Sequence, residues 1–391
     1  MNSKTNPNAT PLRNKDLSQP RQWPGQKYWI LLITTIILLV SFTASFFVLL
    51  LTDTSGRTPS GSSNASNWVG TNLNNNIITE KSTSSSSSNK DPVVPTVPSM
   101  TNYISTPSQF VNNLDVFVES NNTILVEIGS DSCTSIAEKN ADMVVYPASM
   151  TKVMTLVVAC ENATNLNKKL TVTQEAINYK REHGGSGLLV DSSLGDAFTV
   201  QDLLYILSYD SDTIACLLIA KEIAGSEAAF VDLMNAKARE LGLTSTHFSN
   251  STGLHSEDHY TTCREMAAIM TYALDNPLAQ QILLSTETKA FIAYKGNTNE
   301  KSVTYYGAPD WYQKEEGTRF KGANALETVT IKGGKTGYTE EAGVCLVTYA
   351  ESKSNTGKKY INVIVGKPAG SGLTESKSTD EVKKIYNTYA E

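Results

Sequence analysis

Apolar and polar residues are arranged differently in three successive stretches of the chain. From Trp29 to Leu51, 23 consecutive residues carry no charge and most are apolar, which predicts one continuous helix. At about 1.5 Å per residue, such a helix would be roughly 35 Å long, enough to cross the hydrocarbon core of a bilayer. Residues 29–51 are therefore predicted to form a transmembrane helix.

The segment before this helix is basic, because residues 1–28 contain five Lys or Arg and a single acid. Basic flanks remain on the cytoplasmic side of a membrane, which predicts a cytoplasmic tail and places the remainder of the chain outside. A cleaved secretory signal is the alternative. Such signals have apolar regions of about 7–15 residues and a small-x-small cleavage site, and this segment has neither, so an uncleaved anchor is favoured.

The segment after the helix, residues 52–100, is dominated by Ser, Thr, Asn and Gly and includes five consecutive serines, Ser84–Ser88. Such a composition cannot bury enough apolar surface to form a core. Pro92, Pro95 and Pro98 favour a semi-rigid, extended conformation near its end. We predict a tether that holds residues 101–391 clear of the membrane.

Residues 101–391 have strand-like apolar runs at both ends and helical spacing between them. This pattern predicts one α+β domain whose N- and C-terminal strands share a sheet. A last helix is predicted to begin at the capping box Ser378-x-x-Glu381. The strand-like runs are Val116–Val118, Thr123–Ile128, Val344–Tyr349 and Tyr360–Val365, and the helical patterns cover residues from Ser149 onward, Val200–Leu207 and Ala228–Leu241.

The net charge of −6 argues against a nucleic-acid partner, which would require a basic face. Five cysteines are an odd number, so at least one lies outside any intramolecular disulfide, and Cys160, Cys216 and Cys345 are predicted to be buried in apolar runs.

His255 and His259 are four residues apart, the spacing of a possible metal-binding pair. The glycine and acidic residues around them predict a turn, which favours a structural role over metal binding.

Ser149-Met150-Thr151-Lys152 places a hydroxyl and an amine side by side on one helical turn. A serine is a poor nucleophile until a base takes its proton, and such a lysine is positioned to do so. Ser87-Ser88-Asn89-Lys90 has the same spacing in the tether, but only the first copy leads into an apolar helix. An ordinary surface lysine is the alternative for Lys152.

A second candidate element is Lys335-Thr336-Gly337, which follows two glycines and precedes a strand. A lysine and a hydroxyl on an edge strand can hold an anion, and glycines let a substrate backbone approach closely. A glycine-rich turn between strands is the alternative interpretation.

Four segments together resemble the penicillin-recognising serine D-Ala-D-Ala carboxypeptidases, the low-molecular-weight penicillin-binding proteins. The resemblance implies a β-lactamase/DD-peptidase-like fold, in which an antiparallel sheet of N- and C-terminal strands packs on a helical subdomain. It covers roughly residues 115–391. The segments are YPASMTKVMT (146–155), LGDAFTVQDLLYILSYDSDTIA (194–215), STGLHSEDHYTT (251–262) and GGKTGYTEEAGVC (333–345).

The resemblance assigns roles to residues of all three motifs of this superfamily. It implies that Ser149 attacks the carbonyl between the last two D-alanines of a peptidoglycan stem peptide, with Lys152 as base and Ser211 as proton relay. It further implies substrate contacts from Lys335, Thr336, Gly337, Tyr338 and Thr213, with the backbone N–H groups of Ser149 and Tyr338 as oxyanion hole. No metal or organic cofactor is implied, and β-lactam antibiotics are expected ligands.

The second motif departs from the Ser-x-Asn of the family, because the chain reads Ser211-Asp212-Thr213. Threonine offers one hydroxyl where asparagine offers both a carbonyl oxygen and an NH₂ group, so a contact to the substrate amide or to Lys152 is expected to be lost. Asp212 adds a carboxylate near Lys152 and Lys335, which favours their charged forms. Reduced activity or altered specificity is the expected consequence.

Three functions remain open at this stage. The favoured one is a membrane-anchored D,D-carboxypeptidase on the outer side of a bacterial cell membrane, held there by residues 29–51. A class A β-lactamase is disfavoured because no Glu-x-x-x-Asn occurs between Ser211 and Lys335. A non-catalytic envelope protein that binds stem peptides is the third, and its mark would be the lack of a covalent adduct at Ser149.

Overall fold

The computed structural model describes residues 102–115, 118–309, 326–354, 357–366 and 375–391. All of them belong to one compact unit, Lys90–Glu391. The predicted cytoplasmic tail, transmembrane helix and tether lie outside the described residues. Within these described ranges, no helix has the length and apolar character needed to cross a membrane.

Ten strands and eight α-helices occur in the described part of the chain. The strands are β1 (Thr106–Asn113), β2 (Asn122–Ile128), β3 (Cys133–Lys139), β4 (Lys169–Thr171), β5 (Asp196–Thr199), β6 (Lys289–Lys295), β7 (Lys301–Gly307), β8 (Val329–Thr339), β9 (Gly343–Ser352) and β10 (Lys359–Val365). The helices are α1 (Lys152–Asn162), α2 (Gln174–His183), α3 (Val200–Tyr209), α4 (Thr213–Ala224), α5 (Glu227–Glu240), α6 (Cys263–Asp275), α7 (Pro277–Leu283) and α8 (Glu375–Tyr389).

The main sheet has the strand order β1-β3-β2-β10-β9-β8, so the N- and C-terminal strands share it as predicted. The prediction of an antiparallel sheet is wrong at one edge, because β1 pairs with β3 in parallel. The chain reverses between β2 and β3, which pair antiparallel. β1 lies on the outer side of β3 and runs in the same direction as β3, and therefore opposite to β2.

Alternating side chains of the central strands enter two different cores. On one face, Val126, Val347 and Val363 pack with the helical layer, in which α6 lies against β10 and β2. On the other face, Leu346 and Ile364 pack with residues of α8. The sheet is therefore covered on both sides, which explains the nearly continuous apolar runs of β9 and β10.

The predicted helices at Val200–Leu207 and Ala228–Leu241 are confirmed by α3 and α5. The predicted start of the last helix is wrong, because α8 begins three residues before Ser378. Glu381 instead accepts hydrogen bonds from the backbone N–H groups of Glu119 and Ser120, at 2.6 and 3.2 Å. Its carboxylate therefore satisfies backbone donors of a distant loop, which a local capping pattern does not reveal.

Two further features differ from the sequence predictions. Of the predicted strand Val116–Val118, only Val118 lies among the described residues, and it is in a loop. A second sheet, of order β4-β5-β6-β7, was not predicted, because β4 and β5 have three and four residues and are too short to show a period.

All five cysteines lie among the described residues and none forms a disulfide there. Cys216 and Cys345 are buried as predicted, whereas Cys160 is only partly buried.

Candidate active site

The nucleophile candidate Ser149 lies in a 3-10 turn, Ala148–Thr151, that runs directly into α1. Lys152 is the first residue of α1 and is only 2% exposed. Its Nζ donates to Ser149 Oγ at 3.1 Å and to the backbone carbonyl of Thr252. Because one helical turn separates the two residues, the spacing in the sequence produces this contact directly.

A second lysine–serine pair is built from distant parts of the chain. Lys335 of β8 is 1% exposed, and its Nζ donates to Ser211 Oγ at 3.2 Å and to the Thr336 carbonyl at 3.0 Å. Ser211 adopts a left-handed backbone conformation, with φ of +55°, between α3 and α4. This turn directs its hydroxyl toward β8.

Both serines face one cavity of about 500 Å³. It is bounded on one side by the edge strand β8 and on the other by the α3–α4 turn and the loop after α2. The residues that line it include Ser149, Ser211, Thr336, Gly337 and Tyr338 from the predicted site, together with Ser186, Tyr209, Asp210, Ser378 and Thr379. The cavity is large enough for a short peptide at the two serines.

Gly337 lets β8 come close to the serine turn. A Cβ atom at this position would lie 3.0 Å from Ser149 N and 3.1 Å from the Pro147 carbonyl oxygen. Tyr338, the next residue, is half exposed and lines the cavity. The backbone of β8 therefore passes beside the amide of Ser149, as a shared oxyanion hole requires.

Gly253 packs against the same turn, at the backbone of Ala148. Its φ is +79°, and a Cβ atom there would overlap the Ala148 carbonyl oxygen. We expect Gly253→Ala to lower the free energy of unfolding by more than about 3 kcal/mol, because it adds a backbone clash to left-handed strain. Urea denaturation of the chain measures this loss.

Gly225 provides the matched control, since it has the same φ of +79° but no atom within 4 Å of the place that a Cβ would occupy. Gly225→Ala should cost only about 1 kcal/mol, the strain of the backbone alone. Equal decreases in the free energy of unfolding of the two variants would show that the close contact between Gly253 and Ala148 does not contribute to the cost of the substitution.

His259 is buried beside the same turn and is hydrogen-bonded to its last residue, Thr151. The backbone N–H of Ser249 donates to its Nδ1 at 3.1 Å, so Nε2 carries the proton and donates to Thr151 Oγ1 at 2.7 Å. Burial lowers the pKa of His259 to about 3, with a smaller contribution from the neighbouring charges of His247 and Lys152. The neutral ring therefore has a structural role, because it holds Thr151 in place through one hydrogen bond.

His255, by contrast, packs on Tyr146 and lies 3.8 Å from Glu341.

The burial of His259 predicts a specific pH dependence of stability. Below a pH of about 6.5 the unfolded His259 takes up a proton that the folded protein does not bind until about pH 3. The contribution of His259 to the free energy of unfolding should therefore fall with decreasing pH across this window, by up to about 1.4 kcal/mol per unit. His259→Gln should flatten that slope, whereas His183→Gln, at an exposed position, should keep it. Parallel curves for the wild type and His259→Gln would contradict the assignment.

Comparison with known proteins identifies the family. The family model described as D-alanyl-D-alanine carboxypeptidase matches residues 109–369, which is more than half of the chain. The matched region includes both lysine–serine pairs. The chain belongs to the D-alanyl-D-alanine carboxypeptidase family of serine peptidases.

Named relatives agree with this membership. The chain is 30% identical over 237 residues to D-alanyl-D-alanine carboxypeptidase DacF of Bacillus subtilis, covering 60% of this chain and 54% of that protein. It is 30% identical over 241 residues to DacA of Escherichia coli K12, covering 60% and 53%. The chain thus spans about half the length of these curated relatives.

Solved structures share the fold. The Streptomyces K15 DD-transpeptidase superposes with a TM-score of 0.57 at 22% identity, covering 69% of this chain and 96% of that one. Penicillin binding protein 5 from Haemophilus influenzae gives a TM-score of 0.55 at 24% identity, covering 69% and 70%. The architecture is therefore that of the DD-peptidases.

Within this family fold, the unusual second motif is largely buried. Asp212 has no exposed surface, and its carboxylate accepts the N–H groups of Leu189 at 2.7 Å and Ala215 at 2.8 Å. Burial raises the pKa of Asp212 to about 6, partly offset by those two hydrogen bonds and by the charges of Lys180 and Lys152. The sequence predicted that Asp212 would interact with Lys152 and Lys335. In the structure, the lysines whose charges lower the pKa of Asp212 are Lys180 and Lys152.

Thr213 lies at the start of α4, is 1% exposed and is not among the residues that line the cavity. Ser186 lines the cavity instead, on a loop that the sequence motifs did not indicate. The run Gly184-Gly185-Ser186-Gly187 was the available signal, because three glycines around one serine indicate a backbone that approaches another closely.

Proposed function

We propose that the protein is a membrane-anchored serine D-alanyl-D-alanine carboxypeptidase that removes the terminal D-Ala of peptidoglycan stem peptides through an acyl-enzyme at Ser149. The observation that carries this proposal is the meeting of two lysine–serine pairs at one cavity. Membership in the D-alanyl-D-alanine carboxypeptidase family supports the choice of substrate.

In the first half of the reaction, Ser149 Oγ bonds to the carbonyl carbon of the penultimate D-Ala. Its proton passes to Lys152 Nζ, which lies 3.1 Å away and would act in its uncharged form. The backbone N–H groups of Ser149 and Tyr338 stabilise the oxyanion, and a single such donor contributes about 3 kcal/mol in comparable enzymes. Lys335 and Thr336 hold the terminal carboxylate of the substrate.

In the second half, the amide C–N bond breaks and the nitrogen of the leaving D-Ala takes a proton from Ser211 Oγ, which is replaced by the proton that Lys152 took from Ser149. The position of Ser211 suits this relay, because its hydroxyl is hydrogen-bonded to Lys335 at the cavity wall. Water then adds to the acyl carbon, Ser149 Oγ regains a proton, and the shortened peptide leaves. Penicillin would enter the same path, since its β-lactam carbonyl takes the place of the scissile amide.

The proposed location is the outer face of a bacterial cell membrane. It is supported by the uncharged run of residues 29–51, the basic flank before it and the Ser-rich segment that follows. Residues 29–51 would anchor the protein, with residues 1–28 in the cytoplasm and the catalytic domain outside.

The test is the intact mass of the full chain in detergent after brief incubation with benzylpenicillin, together with D-alanine release from a pentapeptide ending in D-Ala-D-Ala. A one-to-one adduct and released D-alanine are expected. Rapid consumption of many penicillin molecules per chain would indicate a β-lactamase. No adduct with intact penicillin and no released D-alanine would indicate a non-catalytic binding protein.

A further inference from the structure

The loop of residues 184–189, here called the Gly185 loop, is fastened to the second motif by hydrogen bonds on both sides. The backbone N–H of Thr213 donates to the Ser186 carbonyl at 3.0 Å, and that of Leu189 donates to Asp212 at 2.7 Å. Lys180 Nζ reaches over from α2 and donates to the carbonyls of Gly187 and Leu189, at 2.9 and 2.6 Å. The loop is therefore held in one position relative to Ser211.

Two glycines allow the loop to lie directly on the motif. A Cβ atom at Gly185 would be 2.5 Å from Thr213 Oγ1, and one at Gly187 would overlap Asp212. Gly187 also has a φ of +113°, a conformation that side chains disfavour. This close packing buries Thr213, and the third side chain of the motif is consequently withdrawn from the cavity.

Ser186, unlike Thr213, presents its hydroxyl group to the cavity. It is exposed, lines the cavity and donates its hydroxyl proton to the Ser211 carbonyl at 2.9 Å. A serine hydroxyl that donates one hydrogen bond still has lone pairs to accept another. Since its proton is directed at Ser211, the oxygen is suited to accept an N–H group from a ligand in the cavity.

We propose that Ser186 accepts a hydrogen bond from a main-chain N–H of the bound stem peptide, and that it supplies the polar contact that Thr213 is buried too deeply to make. Thr213 is then a packing residue under the Gly185 loop. This assignment rests on the proposed function, because the ligand is a peptide ending in D-Ala-D-Ala.

The test measures binding in a Ser149→Ala background, where the peptide is not turned over. Calorimetry with a D-Ala-D-Ala pentapeptide should give a dissociation constant about five- to tenfold higher for added Ser186→Ala, the effect of one neutral hydrogen bond. Ser186→Thr, which keeps the hydroxyl, should restore binding. Thr213→Val, which removes a hydroxyl at nearly constant shape, should leave the dissociation constant unchanged.

With Ser149 present, Ser186→Ala should raise KM for the same peptide by a similar factor and leave kcat nearly unchanged. A purely structural role would lower kcat as well, because Ser211 would move. Weakened binding in Thr213→Val with unchanged binding in Ser186→Ala would overturn the role of Ser186 but would leave the proposed function intact. No binding by the Ser149→Ala chain itself would reject the substrate class, and with it both this proposal and the proposed function.

Discussion

A Ser149→Ala chain is expected to form no covalent adduct with benzylpenicillin and to release D-alanine at least about 10³-fold more slowly than the wild type. The loss is large because Ser149 carries the hydroxyl that Lys152 contacts, at 3.1 Å. Intact mass reports the adduct, and a D-alanine assay on a pentapeptide reports the rate. The fold should be unaffected, because the change removes a single oxygen atom and Lys152 keeps its hydrogen bond to the Thr252 carbonyl.

The chain contains its own control for this experiment. Ser87 begins the second Ser-x-x-Lys tetrapeptide, so Ser87→Ala tests whether the spacing alone creates a reactive serine. We expect a normal adduct and normal D-alanine release in Ser87→Ala. A persistent adduct in Ser149→Ala would place the nucleophile elsewhere and refute the proposed acyl-enzyme.

The second large effect is expected for Lys152→Met, which keeps the length and apolar stem of the side chain but removes the base. Acylation by benzylpenicillin should slow by about 10²- to 10⁴-fold, the usual contribution of a positioned proton acceptor. Stability should fall by only about 1–3 kcal/mol, because the Thr252 carbonyl loses its donor while the variant leaves no buried ammonium group without partners. Stopped-flow or quenched mass measurements give the acylation rate, and urea denaturation gives the stability.

Lys168→Met serves as the control, because Lys168 forms an exposed ion pair with Glu222 away from the cavity. Its acylation rate should equal that of the wild type. If Lys152→Met also acylated at that rate, the proton would have to leave Ser149 by another route, and Lys335, which already contacts Ser211, would be the first residue to test.

The buried second motif gives a physical reason to expect activity despite its departure from Ser-x-Asn. Ser211, which would act as the relay, keeps its contact with Lys335. The two residues that follow Ser211 are used for packing, because Asp212 caps α4 and fastens the Gly185 loop while Thr213 lies beneath that loop.

Local patterns in the sequence determined those features that depend on neighbouring residues. The helices α3 and α5 and the strands β9 and β10 follow from spacing and β-branched runs, because a segment with one apolar face has few ways to bury it. The contact between Ser149 and Lys152 follows for the same reason, since residues three apart are adjacent on any helical turn. The order and spacing of the four segments were sufficient to indicate the family.

Only the tertiary structure decided which distant groups meet. Lys335 reaches Ser211 across 124 positions, His259 reaches Thr151 across 108, and Glu381 reaches Ser120 across 261. The parallel pairing of β1 and the burial of Thr213 belong to the same class. Their cause is the packing of the helices and loops against the sheet, which sets distances between segments that carry no common local pattern.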